Sequence, residues 1–234
     1  MLRKFLPAMV MVGVLVYLGV SWVAFVALFA VSAIAQMYLR RVVKRAGRKA
    51  VDALPDSIRL AGQHPAPWRH LDQVRAAVDQ LLALGFEPAG EFTVPEMPGV
   101  LVAGFASTRE SLYAAVCEHP AGIVWTDLGG EYSDGTSVSA TNAPLGDELD
   151  PVEGTLRIRE KGASASTLLR RVRDEGKRLP LKSVEPALFK LTFERVYARD
   201  TAARKQRQLS NREADRFLSK LHSDAEADKT AVGV

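Results

Sequence analysis

Residues 100–128 read VLVAGFASTRESLYAAVCEHPAGIVWTDL, and this stretch decides the fold of the soluble part of the chain. Runs of β-branched, aromatic and small apolar residues predict strands over Val100–Phe105, Leu112–Cys117 and Ile123–Leu128. Pro120–Gly122 is a turn signal between the last two. Because the connections are too short for helices, consecutive strands are expected to pair as antiparallel hairpins.

The same alternation of strand-like runs and turn residues continues on both sides of this stretch. Further strands are predicted over Phe92–Val94, Ser137–Thr141 and Thr155–Arg159, with an Asp-Gly turn within Ser133–Gly135. The loop Asn142–Gly154 is long and acidic. We therefore expect a mainly antiparallel sheet of about five or six strands flanked by helices, which is an α+β domain.

Helical periodicity precedes the first strand and returns after the last one. A helix is predicted from Trp68, with Gly85 as its left-handed stop. The pattern Ser166–Val172 predicts a second helix, for which Ser164 or Ser166 is the N-cap, and a longer helix is predicted from Pro186.

Two shorter patterns mark the ends of the chain's helical parts. The sequence Ser210-Asn211-Arg212-Glu213 has the form of a capping box, and it predicts the start of a last helix. Residues 40–54 continue the helix of the preceding apolar segment and are expected to end it before Pro55.

The charges are divided unevenly along the chain, although the net formal charge is only +4. Residues 87–153 carry a net charge of −11, and residues 154–220 carry +10. We expect the two blocks to attract each other within one fold. The basic helix residues are interpreted as a solvated face, with an anionic membrane surface or nucleic acid as less favoured partners: Arg170, Arg171, Arg173, Lys177 and Arg178.

The most apolar part of the chain lies near its N-terminus. Phe5–Leu39 has 35 residues without a charge, whereas roughly 20 helical residues cross a bilayer core. The run is too long for one ordinary span and short for two. Tyr17 and Trp22 flank Leu18–Ser21 near its middle, where a hairpin places amphipathic rings at the far interface. A transmembrane hairpin is the favoured hypothesis.

Two alternatives to the hairpin stay open: a single span with an apolar N-terminal extension, and a signal peptide cleaved after Ala33-Ile34-Ala35. Bases at both ends of the run favour cytoplasmic ends, and six bases after it argue against export. Those six are expected at the membrane surface, where anionic lipid headgroups are possible ligands: Arg40, Arg41, Lys44, Arg45, Arg48 and Lys49.

These observations predict an integral protein of a bacterial cell membrane with a cytoplasmic C-terminal domain. Four segments follow: residues 1–39 form the membrane anchor, and residues 40–67 form a basic juxtamembrane helix and a linker rich in helix-breaking residues. Residues 68–222 form the soluble α+β domain, and residues 223–234 form a disordered tail.

Candidate binding residues concentrate around the predicted turn at Asp134. Trp125, Asp127, Tyr132 and Asp134 combine large rings with carboxylates and are the candidate binding cluster, although a hairpin with Trp125 in the core explains the same residues. No phosphate-binding loop or hydrolase motif occurs in the sequence. We expect no metal and no cofactor, because one cysteine and four histidines leave few ligands.

The function predicted from these features is binding rather than catalysis. The favoured hypothesis is a non-catalytic cytoplasmic domain, tethered to the lipid bilayer, that binds another protein or the membrane surface. The alternative is a membrane-tethered hydrolase that uses dispersed acidic residues or Cys117 with His119, two positions that share one face of a strand. A structural subunit whose hairpin packs against other membrane helices is the third possibility.

Overall fold

The computed structural model describes residues 22–144 and 149–220. The first element is helix α1 (Trp22–Asp52), which continues through the basic segment and ends before Pro55, as predicted. In the described part of the chain it is the one helix, over Val26–Asp52, that is long and apolar enough to cross a membrane. The apolar side chains over residues 26–39 are exposed, with Phe29 at 71% and Ile34 at 66%.

The remaining predictions about the anchor concern residues that the structure does not describe. The turn Leu18–Ser21, on which the hairpin hypothesis depends, lies outside the described residues, as does the predicted tail 223–234. Asp147 and Glu148, in the acidic loop, also lie outside them. The hairpin therefore stays a prediction, whereas one apolar helix near the N-terminus is observed.

Residues 48–216 form one compact unit built on a seven-stranded mixed sheet. The strands follow one another in chain order across the sheet. They are β1 (Ala61–Gly62), β2 (Glu87–Thr93), β3 (Leu101–Ser107), β4 (Leu112–His119), β5 (Ile123–Glu131), β6 (Ser137–Thr141) and β7 (Thr155–Arg159). Neighbours pair antiparallel from β1 to β6, and β7 pairs parallel to β6.

The α+β prediction is confirmed, with two differences in the sheet. Among the described residues the sheet has seven strands rather than five or six, because Ala61–Gly62, in the predicted linker, pairs with Phe92 and Thr93 through its backbone. The second difference is the parallel edge at β6 and β7. The long loop Asn142–Gly154 separates these strands, and a parallel pair needs a connection of about that length.

One face of the sheet packs against two helices, α2 (Leu71–Ala83) and α3 (Ala165–Glu175). We call it the α2–α3 face. Its core is mostly apolar, because alternate strand residues meet the apolar sides of both helices. The fully buried carboxylate of Glu118 also lies on this face, where it accepts from the Arg69 backbone N–H at 3.1 Å. The fully buried contributors to the apolar core include Leu81, Leu112, Val116, Leu128, Val138, Ala140, Ala165 and Leu168.

The other face packs against α4 (Phe189–Gln206), which follows a short 3₁₀ turn at Pro186–Leu188. We call it the α4 face. The ring of Phe189 stacks on Phe92 at 5.9 Å between centroids. This ring occupies the space above Gly104, where an added Cβ would lie 2.3 Å from a ring carbon. The glycine is therefore what lets α4 approach the sheet.

The predicted C-terminal end of helix α2 at Gly85 is confirmed. Gly85 has a φ of +80°, which favours glycine. The backbone N–H of Gly85 donates to the carbonyl of Leu82 at 2.9 Å, and that of Phe86 donates to Leu81 at 3.0 Å. This pair of bonds is the Schellman motif, and it satisfies carbonyls that the end of a helix leaves without partners.

Two N-terminal caps are confirmed as well. The Ser164 Oγ accepts a hydrogen bond from the backbone N–H of Thr167 at 3.2 Å, so Ser164 rather than Ser166 caps α3. The backbone N–H of Glu213 donates to Ser210 Oγ at 3.1 Å, and Ser210 N–H donates to Glu213 Oε2 at 2.7 Å. This reciprocal capping box precedes helix α5, over residues 211–220.

Ion pairs join the acidic and the basic block of the sequence, as their opposite charges predict. Arg173 Nη2 lies 2.7 Å from Glu110, and Lys177 Nζ lies 2.9 Å from Asp134. Further pairs between the blocks are Lys182 with Glu131 and Arg216 with Asp150. The basic residues after β7 therefore compensate carboxylates of the preceding strands and turns.

Candidate functional site

The four residues of the predicted binding cluster lie in two separate places. Trp125 and Asp127 lie on the α4 face of β5, whereas the ring of Tyr132 is buried with the core of the α2–α3 face. Asp134 lies in the turn that follows. Residues that are close in sequence thus end on opposite faces, because side chains alternate along a strand.

Asp127 is the centre of a polar group on the α4 face. The indole Nε1–H of Trp125 donates to Asp127 Oδ2 at 2.8 Å, and Thr141 on β6 is a second hydrogen-bonding partner. Burial raises the pKa of the Asp127 carboxyl above its usual range, while those two hydrogen bonds and the positive charges of Arg157 and Arg159 act in the opposite direction. The Asp127 carboxyl group is therefore partly desolvated, and its hydrogen bonds to Trp125 and Thr141 fix its position.

The register of three strands explains why these groups meet. Asp127 is the partner of Thr141 across β5 and β6, and Thr141 is the partner of Arg159 across β6 and β7. In the next row on the same face, Ser139 is the partner of Arg157. Residues that are aligned in this way have side chains on the same side of the sheet.

Helix α4 adds a third arginine to this group. Burial, together with the positive charges of Arg159 and Arg204, lowers the pKa of Arg157 to about 10. Burial also lowers the pKa of Arg204. Three half-buried guanidinium groups therefore lie close enough to repel one another, which is an arrangement that favours an anion nearby.

These arginines were absent from the predicted site, although the sequence contains a signal for them. Arg157 and Arg159 alternate with Leu156 and Ile158 in a predicted strand. Such alternation places both arginines on the face opposite the buried Ile158. The contribution of Arg204 depends on how α4 packs, and no local pattern indicates it.

The second half of the predicted cluster connects a turn to the end of α3. The hydroxyl of Tyr132 accepts a hydrogen bond from the backbone N–H of Lys177 at 2.9 Å. Lys177 Nζ donates to Asp134 at 2.9 Å and to Thr136 at 2.8 Å. Hydrogen bonds from Thr136 and Lys177 lower the pKa of Asp134 to about 2. These contacts hold the β5–β6 turn against α3.

A groove of about 320 Å³ lies beside this connection. Its volume is near the lower end of the range for small-molecule sites. The charged groups on its rim already have partners, because Arg173 binds Glu110 and Lys177 binds Asp134. Apolar side chains of the groove include Leu112, Leu179 and Leu181.

The geometry gives no support to a nucleophilic pair of Cys117 and His119. Cys117 is 3% exposed and packs in the apolar part of the α4 face. Burial, together with the charge of Asp127, raises the pKa of its thiol, and a thiol of high pKa is a poor nucleophile at neutral pH. His119 lies at the end of β4, where its Nδ1 accepts from the Ala121 backbone N–H at 3.1 Å.

The six bases that follow the apolar run lie on one side of α1. Arg41, Arg45 and Lys49 are exposed and spaced four residues apart, so they form one stripe along the helix. Arg40, Lys44 and Arg48 form the adjoining stripe and are half-buried. At 100° per residue, the six positions cover about half of the helix circumference.

Comparison with protein-family models, with curated proteins and with solved structures finds no match for this chain. In the part of the chain that the structure describes, no three His, Cys, Asp or Glu side chains are grouped as they would be to hold a metal ion.

Proposed function

We propose that this protein is a membrane-anchored binding protein of a bacterial cell membrane, with its α+β domain in the cytoplasm. In this proposal residues 1–39 form a helical hairpin, and the domain is non-catalytic and binds another protein or the membrane surface. The observation that carries the proposal is α1, whose apolar part is exposed and continues directly into a basic part.

The exposed apolar surface of α1 supports a bilayer as its environment. Side chains that would normally be buried in a soluble protein are mostly accessible, including Phe29 at 71%, Tyr38 at 67% and Val31 at 63%. A contiguous apolar surface of this kind marks a site of interaction with a membrane or another protein. The length and composition of the helix segment Val26–Asp52 fit a membrane span.

The basic stripes of α1 support a cytoplasmic location for the domain. Lysine and arginine residues close to a span favour the cytoplasmic side. Near an anionic membrane surface each base also contributes about 1 kcal/mol of attraction. Arg41, Arg45 and Lys49 are exposed and available for such contacts.

Topology reporters test the anchor and its orientation. A reporter fused after Gly233 is expected to read as cytoplasmic. A second reporter before Met1 separates the two membrane arrangements, because a hairpin places both ends in the cytoplasm and a single span places the N-terminus outside. An extracytoplasmic reading at Gly233 would overturn the proposed orientation.

A matched pair of charge variants tests the role of the basic stripe. Replacing Arg41, Arg45 and Lys49 by glutamate is expected to lower the cytoplasmic signal at Gly233. The control replaces three exposed bases of the domain by glutamate, namely Lys161, Arg170 and Arg178. Equal loss in both variants would indicate a general effect of charge rather than a topological signal.

Co-purification tests the binding role of the domain. Proteins retained by the full chain and by a chain lacking residues 1–39 are compared from native membranes. Partners that both chains retain support binding through the domain. Partners lost with residues 1–39 would instead support the structural-subunit alternative, in which the anchor makes the contacts.

A further inference from the structure

We propose that His70 is a phosphoryl-acceptor site, and that its Nε2 atom is phosphorylated by an acyl phosphate. In this proposal Glu118 is a positioning residue for the histidine ring, and Arg69 supplies a positive charge for the phosphoryl oxygens. The site goes beyond the proposed function, because it depends neither on the membrane anchor nor on the identity of a partner.

Glu118 fixes the orientation of the His70 ring. Its side chain is fully buried, and both of its oxygens accept from the Arg69 backbone N–H at 3.1 Å. His70 Nδ1 lies 3.3 Å from Glu118 Oε1. Because a carboxylate only accepts hydrogen bonds, Nδ1 carries the proton of this contact. The lone pair of the neutral ring is therefore on Nε2, the nitrogen that can attack an electrophile.

The Nε2 atom of His70 is accessible. The His70 side chain is 38% exposed, and among the described residues Nε2 has no hydrogen-bonding partner. The ring lies beside Gly122 in the β4–β5 turn, where an added Cβ would be 3.4 Å from Nε2 and 3.3 Å from Cε1. Glycine at this position therefore leaves space next to the nucleophilic atom.

Arg69 supplies a positive charge at the same turn. Arg69 Nη2 and Pro120 Cγ are each 2.9 Å from the position of a Cβ added to Gly99, so the guanidinium lies next to the β4–β5 turn, beside which the histidine ring also lies. The guanidinium forms no ion pair with any described residue, since Glu96, in the turn of Gly99, is paired with Arg59 at 2.7 Å. Its planar fork matches phosphoryl oxygens.

The other described histidines lack this combination. His119 Nδ1 accepts from a backbone N–H at 3.1 Å, so its proton is on Nε2 and no lone pair of the ring is free. His64 Nδ1 lies 3.0 Å from Glu91, but the two side chains are 85% and 27% exposed. Water screens that contact more strongly than the one between His70 and the fully buried Glu118. The His70 ring is therefore the better oriented nucleophile.

The donor is an acyl phosphate, the mixed anhydride of a carboxylic acid and phosphoric acid. The Nε2 lone pair attacks phosphorus, and the bond between phosphorus and the acyl oxygen breaks, so the carboxylate leaves with the electron pair of that bond. The ring then carries the phosphoryl group on Nε2 and keeps its proton on Nδ1, and the Glu118 carboxylate compensates its positive charge. Because a carboxylate is a stable leaving group without protonation, the step needs no general acid.

Uptake of label from acetyl [³²P]phosphate tests the site on the full chain in detergent. The wild type is expected to take up a phosphoryl group that is stable in base and lost in acid, as a histidine phosphoramidate is. His70→Gln should lower the uptake by a factor of about ten or more, whereas the matched controls His64→Gln and His119→Gln should leave it unchanged. Label that is lost in base, or that H70Q retains, would overturn the proposal.

A matched pair of arginine variants tests the role of Arg69. Arg69→Gln is expected to slow the uptake about tenfold, through loss of the charge-assisted contact to the phosphoryl group. Arg75→Gln, at an exposed position of α2, is the matched control and should leave the rate unchanged. Equal rates in the two variants would overturn the role assigned to Arg69.

Ring ¹⁵N chemical shifts test the role of Glu118 without the reaction. In mildly alkaline solution the wild type is expected to show a protonated Nδ1 and an unprotonated Nε2 on His70. Glu118→Gln should move the ring toward the Nε2-protonated form of a free imidazole and slow phosphorylation about tenfold, whereas Glu91→Gln should change neither. A role of Glu118 in folding alone would lower stability and leave the tautomer as it is.

The spectrum of the wild type keeps the test valid if E118Q does not fold. A proton on Nε2 of His70 in the wild type would overturn the proposal, whatever the variants do. An unprotonated Nε2 together with uptake that depends on His70 supports it.

Discussion

The two faces of the sheet are built on different principles. The α2–α3 face is mostly apolar, with the buried carboxylate of Glu118 bound at the start of α2, whereas the α4 face is apolar around Phe92 and Phe189 and charged around Asp127, Arg157 and Arg159. The same seven strands therefore form a packed core on one side and combine a core with a charged region on the other. Stability is expected to reside mainly in the first face.

The largest loss of stability is expected from a substitution on the α2–α3 face. Leu168 on α3 is fully buried, so Leu168→Ala should lower the free energy of unfolding by about 2–5 kcal/mol, through lost burial and the cavity left behind. Denaturant unfolding followed by tryptophan fluorescence measures the change. The matched control is Leu191→Ala on α4, which is 64% exposed and is expected to change stability by less than about 0.5 kcal/mol. A similar loss in both variants would contradict the comparison.

The next largest effect on stability is expected from Glu213, a buried carboxylate in the compact unit of residues 48–216. Glu213 is fully buried and binds Arg207 Nη1 at 2.8 Å, Asp150 N at 2.7 Å and Ser210 N at 2.7 Å. These contacts outweigh the effect of burial and hold its pKa at about 2. Since the folded pKa lies below the unfolded value of 4.5, the ionised group stabilises the fold above pH 4.5. That contribution, about 3 kcal/mol, is lost as pH falls from about 4.5 to about 2.

Glu213→Gln should accordingly flatten the acid limb of the stability curve and lower stability at neutral pH. Equilibrium unfolding at several pH values measures both effects. Glu153→Gln, at an exposed position, is the matched control. An unchanged acid limb in E213Q would show that other carboxylates dominate acid unfolding.

Two glycines of the α4 face give a direct contrast of packed and open regions. Gly104→Ala places a methyl group against the Phe189 ring and should cost about 1–3 kcal/mol by overpacking. Gly129→Ala adds the same group in open space and should have a much smaller effect. Phe189→Leu is expected to reduce the cost of G104A, which a double-mutant cycle measures. Equal costs for G104A and G129A would mean that the packed and open regions of the α4 face do not differ as described.

The smallest effect is expected at the start of α3. Ser164→Ala removes the side chain that accepts from Thr167 N–H and should lower stability by about 1 kcal/mol. Ser166→Ala alters an exposed residue in the first turn of the same helix and serves as the matched control. A larger loss in S166A than in S164A would reverse the assignment of the cap.

Local patterns predicted local structure well. The stop at Gly85, the cap at Ser164 and the capping box Ser210–Glu213 were all readable, because each depends on residues within one or two helical turns. The strands were readable from short apolar runs and turn residues. The parallel pairing of β6 and β7 was not, since it depends on the path of the long loop Asn142–Gly154.

The prediction of the candidate site was also limited to contacts between residues that are close in sequence. Trp125 and Asp127 were selected from the sequence and do contact each other, since they are two residues apart on one strand. Tyr132 and Asp134 were grouped with them by proximity in sequence, and the structure places them elsewhere. Arg204 was missed because it lies on α4, 45 residues beyond Arg159, and no local pattern indicates such a contact.

The sequence by itself determined the apolar segment Phe5–Leu39, the helices with their caps, most of the strands and the opposite charges of the two blocks. Each of these follows from composition or from periodicity within a few residues. The tertiary structure alone decided which strands form the edges of the sheet and which charged groups converge on the α4 face. Those outcomes depend on contacts between distant segments, whose free energies are set by packing and burial rather than by local preference.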